Sequence, residues 1–127
     1  MKSEPFSKAE RISIQREIDR LFNEGSAFTV YPLRVFYLET KPLSGVSASI
    51  LISVPKKRFK RAVQRNRIKR LVRETYRKNK HSLLASLQTQ DTGLLLAFVY
   101  VSNHLCSYSE METAIKKSLQ ILLKKLP

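Results

Sequence analysis

The sequence predicts an α+β domain, a two-layer α-β sandwich of order α-β-β-α-β-α. Three observations carry that reading. Val46 to Val54 alternates apolar and small polar residues, the period-2 pattern of a half-buried strand. Gly93 to Val101 is apolar on both faces, as a central strand requires. Residues 62–78 contain neither Gly nor Pro and are rich in helix formers. A chain of 127 residues is enough for one domain and too short for two, so a single domain over 1–127 is expected.

The elements follow in order. Ser7-Lys8-Ala9-Glu10 has capping-box spacing, and a second helix start is available at Ser13. Ile14, Ile18, Leu21 and Phe22 then recur at helical spacing until Asn23-Glu24-Gly25, which predicts a first helix over 13–24. Residues 33–39, β-branched and aromatic, read as a strand. The turn residues at 41–45 suggest that it forms a hairpin with the strand at 46–54, which Pro55 ends. A basic loop at 56–61 leads into the helix at 62–78. A polar link at 79–92 precedes the apolar strand. Ser109 to Glu112 offers a capping box for a last helix, whose stripe is Met111, Ile115, Leu119 and Leu122 and whose last turn carries Lys124 and Lys125.

Charge narrows the function. The formal net charge is +14, which favours a polyanionic partner. Residues 56–80 hold thirteen Lys and Arg against the single acid Glu74, a net +12, while the other 102 residues carry +2. So concentrated a charge is a site; a solvated face mixes both signs. At 100° per residue, Gln64, Ile68, Leu71, Val72 and Thr75 share one side of the helix, and Asn66, Arg70, Arg73 and Arg77 share the other. Arg67 and Lys69 flank them, and Arg65 lies at the border. Guanidinium groups grip phosphate through paired hydrogen bonds, and rows of them suit converging strands, as in folded RNA. Asn66 can both donate and accept, so it suits a base edge, a 2′-hydroxyl or a hydrated metal ion. Glu74 is four residues from both Arg70 and Lys78, the spacing of a helix-surface ion pair.

A second surface is suggested by strand periodicity. If Ala48, Ile50, Ile52 and Val54 face a helical layer, Ser47, Ser49 and Ser53 face the open side. Arg34 belongs there too, since an unpaired buried Arg is costly, and Phe36 falls on the same side. Small hydroxyls, one Arg and an exposed aromatic suit a single nucleic-acid strand.

Catalytic constellations are poor. His81 and His104 have no carboxylate nearby in sequence, and the ten acids are scattered. Cys106 is the single cysteine, so no intrachain disulfide is possible and a cytoplasmic chain is expected. No secretory signal is seen, and the apolar run 94–101 is too short to span a bilayer.

Arg65-Asn66-Arg67-Ile68-Lys69-Arg70-Leu71-Val72-Arg73-Glu74, preceded by Ser53-Val54-Pro55-Lys56-Lys57 and Ala62-Val63, resembles the signature of the protein subunit of bacterial ribonuclease P. The pattern Ile18, Leu21, Phe22, Gly25 agrees with that resemblance. It implies a left-handed βαβ crossover, an exception to the usual hand. It also implies a ribonucleoprotein whose catalytic groups and catalytic Mg²⁺ belong to an RNA subunit. The expected reaction is endonucleolytic removal of the 5′ leader from precursor tRNA, with no catalytic residue on this chain. The RNA subunit and precursor tRNA would be the partners, with no further protein required and no membrane. By position, Arg65, Asn66, Arg67, Lys69, Arg70 and Arg73 would bind the RNA subunit, with Arg58, Lys60 and Arg61 in the adjoining loop. Ile18, Phe22, Arg34, Phe36, Ser49, Ser53, Lys56 and Lys57 would line the leader cleft, and Asn66 would approach Mg²⁺ shared with the RNA. Two departures stand in the basic loop: Arg58-Phe59-Lys60-Arg61 where many members have a Gly, and Pro55 where Ser or Ala is common.

Overall fold

The computed structural model describes residues 15–41 and 48–126. The expected cap at Ser7–Glu10, the helix start at Ser13, Ile14 and the segment 42–47 lie outside the described residues. Helix α1 spans Gln15–Glu24, strand β1 Ser26–Val30, β2 Leu33–Thr40, β3 Ala48–Ser53, helix α2 Ala62–Asn79, α3 His81–Thr89, β4 Gly93–Tyr100 and α4 Tyr108–Lys125. The predicted elements therefore stand in the predicted order, with β1 and α3 added. No helix among the described residues is long and apolar enough to cross a membrane.

The strands form one sheet of order β1-β2-β4-β3, antiparallel except for the β3–β4 pair, which is parallel. The expected hairpin between the 33–39 and 46–54 strands does not form. β4 lies between them, and β2 takes β1 as its hairpin partner through Tyr31-Pro32. The physical reason lies in β4. Leu94 through Phe98 are all essentially excluded from solvent, and a strand apolar on both faces lowers free energy most when flanked on both edges and covered on both sides. Because a parallel pair needs a crossover rather than a tight turn, the chain passes from β3 through α2 and α3 before returning as β4.

The sheet register sorts every strand residue to one of two faces. On the first, Leu33, Val35, Ala48, Ile50, Leu94, Leu96, Phe98 and Tyr100 pack with Ile68, Val72 and Tyr76 of α2, Leu83 and Leu87 of α3, and the Met111–Ile115–Leu119–Leu122 stripe of α4. On the second, Leu21 of α1 packs on Leu95 and Ala97, with Ile18, Phe36, Leu38 and Leu51 around them. Segment 79–92 is not a plain link. Leu83 and Leu87, one helical turn apart, are fully buried and make α3 a packed helix. The capping box of α4 is Ser107 with Glu110, two residues before the expected one. The Ser107 Oγ accepts from Glu110 N at 3.1 Å, and Glu110 Oε1 accepts from Ser107 N at 2.8 Å.

Gly25 closes α1 against the sheet. Its N–H donates to Leu21 O at 3.0 Å, and a Cβ there would stand 2.4 Å from Leu21 O and 2.7 Å from Tyr37 O. Both are backbone atoms that no rotamer change can move. Gly25→Ala is expected to lower unfolding free energy by roughly 1–3 kcal/mol, as overpacking does, read from urea midpoints. Ser107→Ala should cost roughly 0.5–2 kcal/mol through loss of the α4 cap, measured in the same assay.

Candidate nucleic-acid interface

Helix α2 docks through a narrow stripe. Ile68, Val72, Thr75 and Tyr76 are buried, Gln64 and Leu71 are half-buried, and Asn66, Arg67 and Arg70 are exposed, with Lys69 and Arg73 half-buried. Of the predicted outward row of Asn66, Arg70, Arg73 and Arg77, the first two therefore stand clear of the protein body, while Arg73 and Arg77 are half-buried. Glu74, the one acid of the segment, pairs with Arg77 at 3.0 Å, three residues on, rather than with Arg70 or Lys78 as the four-residue spacing suggested. The hydrogen bond from Arg77 holds its carboxyl below the usual carboxylate range. Among the described residues no salt bridge engages Arg67, Lys69, Arg70 or Arg73. The helix begins at Arg61 with no side-chain cap and no acid in its first turn. The positive end of its dipole thus adds to the cations instead of offsetting them. An anion placed there relieves both.

Arg65 has a different task from its neighbours. Its Nη1 donates to the carbonyls of Phe59 at 2.7 Å and Lys60 at 2.9 Å, so a half-buried guanidinium closes the basic loop onto the helix. Phe59 anchors the same loop from inside: it is buried, with its ring 6.0 Å from that of Tyr100. Arg58 N donates to Pro55 O at 3.0 Å, and Arg58 Nη1 donates to Asn103 Oδ1 at 3.1 Å. The loop without a family Gly is therefore pinned at four points, with Lys56, Lys57, Lys60 and Arg61 exposed on it. Arg58 and Arg65 hold the loop; the sequence placed them only among phosphate contacts. Their reach back to backbone and to Asn103 has no local sequence signal.

The second surface lies on the opposite face of the sheet. Phe22 of α1, 39 % exposed, meets Phe36 of β2 edge-on, with centroids 4.7 Å apart and planes at 68°. The Arg34 guanidinium carbon stands 5.3 Å from the Phe36 centroid, and its Nη1 donates to Thr29 Oγ1 at 3.1 Å. This is the arrangement a single strand needs: ring faces and edges beside a cation. The register aligns Thr29, Arg34, Val99 and Ser53 in one row across the four strands. Ser53 is half-buried in that row, and Lys56 and Lys57 follow it from the end of β3. Ile18 is half-buried in the α1 cluster. Ser49 departs from expectation. It is 4 % exposed, because its row is shared with Leu95 and Leu38, the part of the sheet that α1 covers through Leu21. Its hydroxyl is not presented to an open surface.

On the exposed side of α2 Asn66 is a carboxamide set among cations, and the described residues contain no group of three His, Cys, Asp or Glu side chains able to share an ion. Such a set suits outer-shell contact with an ion held by another molecule's phosphates rather than direct ligation of Mg²⁺.

The chain is similar to known proteins in both sequence and fold. A family model described as Ribonuclease P matches residues 6–126. The ribonuclease P protein component of Porphyromonas gingivalis (strain ATCC 33277) is 47 % identical over 121 residues, spanning 95 % of this chain and 88 % of that protein. The corresponding protein of Chlorobaculum tepidum is 37 % identical over 90 residues, spanning 65 % of this chain and 58 % of that one. Among solved structures, the Staphylococcus aureus RNase P protein superposes with a TM-score of 0.71 at 22 % identity, covering 91 % of this chain and 96 % of that one. The Thermotoga maritima RNase P protein superposes with a TM-score of 0.61 at 23 % identity, covering 93 % and 98 %. These structural likenesses establish the shared fold. Together with the match over nearly the whole sequence, they show that the chain belongs to the ribonuclease P protein family.

Proposed function

We propose that this chain is the protein cofactor of a ribozyme: it binds a catalytic RNA subunit through α2 and the loop before it, and holds the 5′ leader of precursor tRNA in the α1–β2 cleft. The observation that carries this reading is the pair of unlike nucleic-acid surfaces on opposite faces of one sheet. Arg67, Arg70 and Arg73 offer charge without carboxylate partners, which suits a phosphate-dense folded RNA. Phe22, Phe36 and Arg34 offer stacking and a single cation, which suits an unpaired strand. The chain supplies position and field. Mg²⁺, held mainly by the RNA subunit, would supply the activation of water for hydrolysis, and the exposed Asn66 carboxamide would contact the ion's hydration shell. Lys and Arg offset repulsion between the two RNAs, so less Mg²⁺ is needed to bring them together.

The deciding experiment mixes the purified chain with its cognate RNA subunit at low Mg²⁺ and follows leader release. Faster release than with RNA alone is expected, and equal rates overturn the reading. Within the same system the two surfaces should separate. Arg70→Ala should weaken binding to the RNA subunit and reduce the salt dependence of log K by about one charge. Phe36→Ala should leave that binding nearly intact while lowering the preference for precursor over mature tRNA by roughly 5- to 150-fold, the worth of one base stack. Arg65→Ala should act through the loop: limited proteolysis should show faster cleavage within residues 56–61 than in Arg70→Ala, because the Phe59 and Lys60 carbonyls lose their donor.

A further inference from the structure

Strand β1 lies at the edge of the sheet and carries no charged side chain and no fully buried one. Phe28 and Val30 turn to the helical layer and pack against its core. Ala27 and Thr29 turn to the opposite face, that of the α1–β2 cleft, and stay exposed because α1 packs over β2 and β4 instead. The register sets Ala27 opposite Phe36 and Thr29 opposite Arg34. On that face the edge strand therefore borders the Phe22–Phe36 ring pair and its cation. The Thr29 hydroxyl is the polar side-chain group that β1 brings there.

Arg34 is exposed, and among the described residues no salt bridge engages it. A long charged side chain in that setting ordinarily spreads over many rotamers and loses that freedom on gripping a phosphate. Two contacts narrow the choice. The guanidinium carbon stands over the Phe36 ring, 5.3 Å from its centroid, and Nη1 donates to Thr29 Oγ1 at 3.1 Å. The ring attracts the cation without setting the heading of its N–H groups; the hydroxyl, on the neighbouring strand, sets it. That heading is toward β1, away from Lys56 and Lys57, which follow the far end of the same row. With β4 between them, β2 and β3 lie roughly 10 Å apart, so the cations address different phosphates rather than crowding one. The kind of acceptor matters as well. A carboxylate at position 29 would hold the guanidinium but cancel its charge. A hydroxyl takes one N–H donor and leaves the charge and the remaining donors for a ligand.

We propose that Thr29 is a positioning residue for leader binding: its hydroxyl fixes Arg34 over Phe36 with the charge intact, and so makes the edge strand β1 part of the leader site. The inference rests on the reading that the α1–β2 cleft holds the leader. It adds to that reading a residue that acts through Arg34. Ring and cation then form one preset unit, and less ordering is left to do when a leader phosphate arrives.

The test uses the chain assembled with its RNA subunit and measures the ratio of affinities for precursor and mature tRNA. Thr29→Val keeps a β-branched side chain at an exposed strand position and removes the acceptor, so urea midpoints should barely move. It is expected to lower the ratio roughly 2- to 12-fold, the worth of one hydrogen bond, while Thr29→Ser keeps most of it. In an Arg34→Ala background the same Thr29→Val change should have no further effect, the non-additivity of two residues that act as one. A ratio unmoved by Thr29→Val, while Phe36→Ala lowers it, would overturn the proposal and leave the function above intact. An equal fractional loss with and without Arg34 would overturn it as well, by making Thr29 act independently of the cation. If neither Arg34→Ala nor Phe36→Ala changes the ratio, the cleft does not hold the leader and both readings fall.

Discussion

Strands β3 and β4 run parallel as neighbours, and a parallel pair cannot be closed by a tight turn. The chain must leave the sheet at Ser53, cross one face as α2 and α3, and return at Gly93. That single requirement fixes the functional layout. It turns the most basic segment of the protein into the crossover, so the segment is packed along one stripe and solvated along the other. It also leaves the opposite face of the sheet to α1, which covers only part of it. The row of Leu38, Leu95 and Ser49 is covered most fully, the row of Phe36, Ala97 and Leu51 is covered at Ala97 and half-buried on either side, and the row of Thr29, Arg34, Val99 and Ser53 is more open.

The interface cations fall into two groups by what they touch. Arg58 and Arg65 spend their donors inside the protein, on Asn103 Oδ1 and on the Phe59 and Lys60 carbonyls. Arg67 and Arg70 stand outward with no carboxylate in reach among the described residues. The first group gives the second its setting. A loop carrying Lys56, Lys57, Lys60 and Arg61 would repel itself in many conformations. The buried Phe59 ring and the Arg65 bridge select one, and a pre-ordered cationic surface loses less entropy when it meets phosphate.

Much of this was legible in residue order. The stripe of α2, the outward Asn66–Arg70 row, the burial of both faces of β4 and the apolar stripe of α4 all follow from periodicities of 3.6 and 2, which are set by backbone geometry alone. The Arg34–Phe36 side of β2 was reached the same way, from the cost of burying a lone guanidinium. Periodicity was silent where the signal was short or the pairing non-local. β1 has only five residues, and α3 carries its burial on Leu83 and Leu87 amid hydroxyl and amide side chains. The strand at 48–53 has a hairpin-like spacing from β2, yet it pairs elsewhere, because β4 gains more from two flanking strands than β2 and β3 gain from each other.

The sequence by itself determined the composition of the surfaces: which segment is cationic, which helix face carries the charge, and which family signature it bears. Those properties reside in local spacing and survive any arrangement of the elements. Only the tertiary structure decided what each charged or polar group does. Ser49 is covered while Ser53 in the same strand stays near the cleft, Glu74 takes Arg77, Arg65 becomes a loop brace, and Tyr31 meets the segment after β4 at a pocket. These outcomes depend on which strands lie side by side and how far a helix extends over them, and such contacts join residues as distant as 31 and 102.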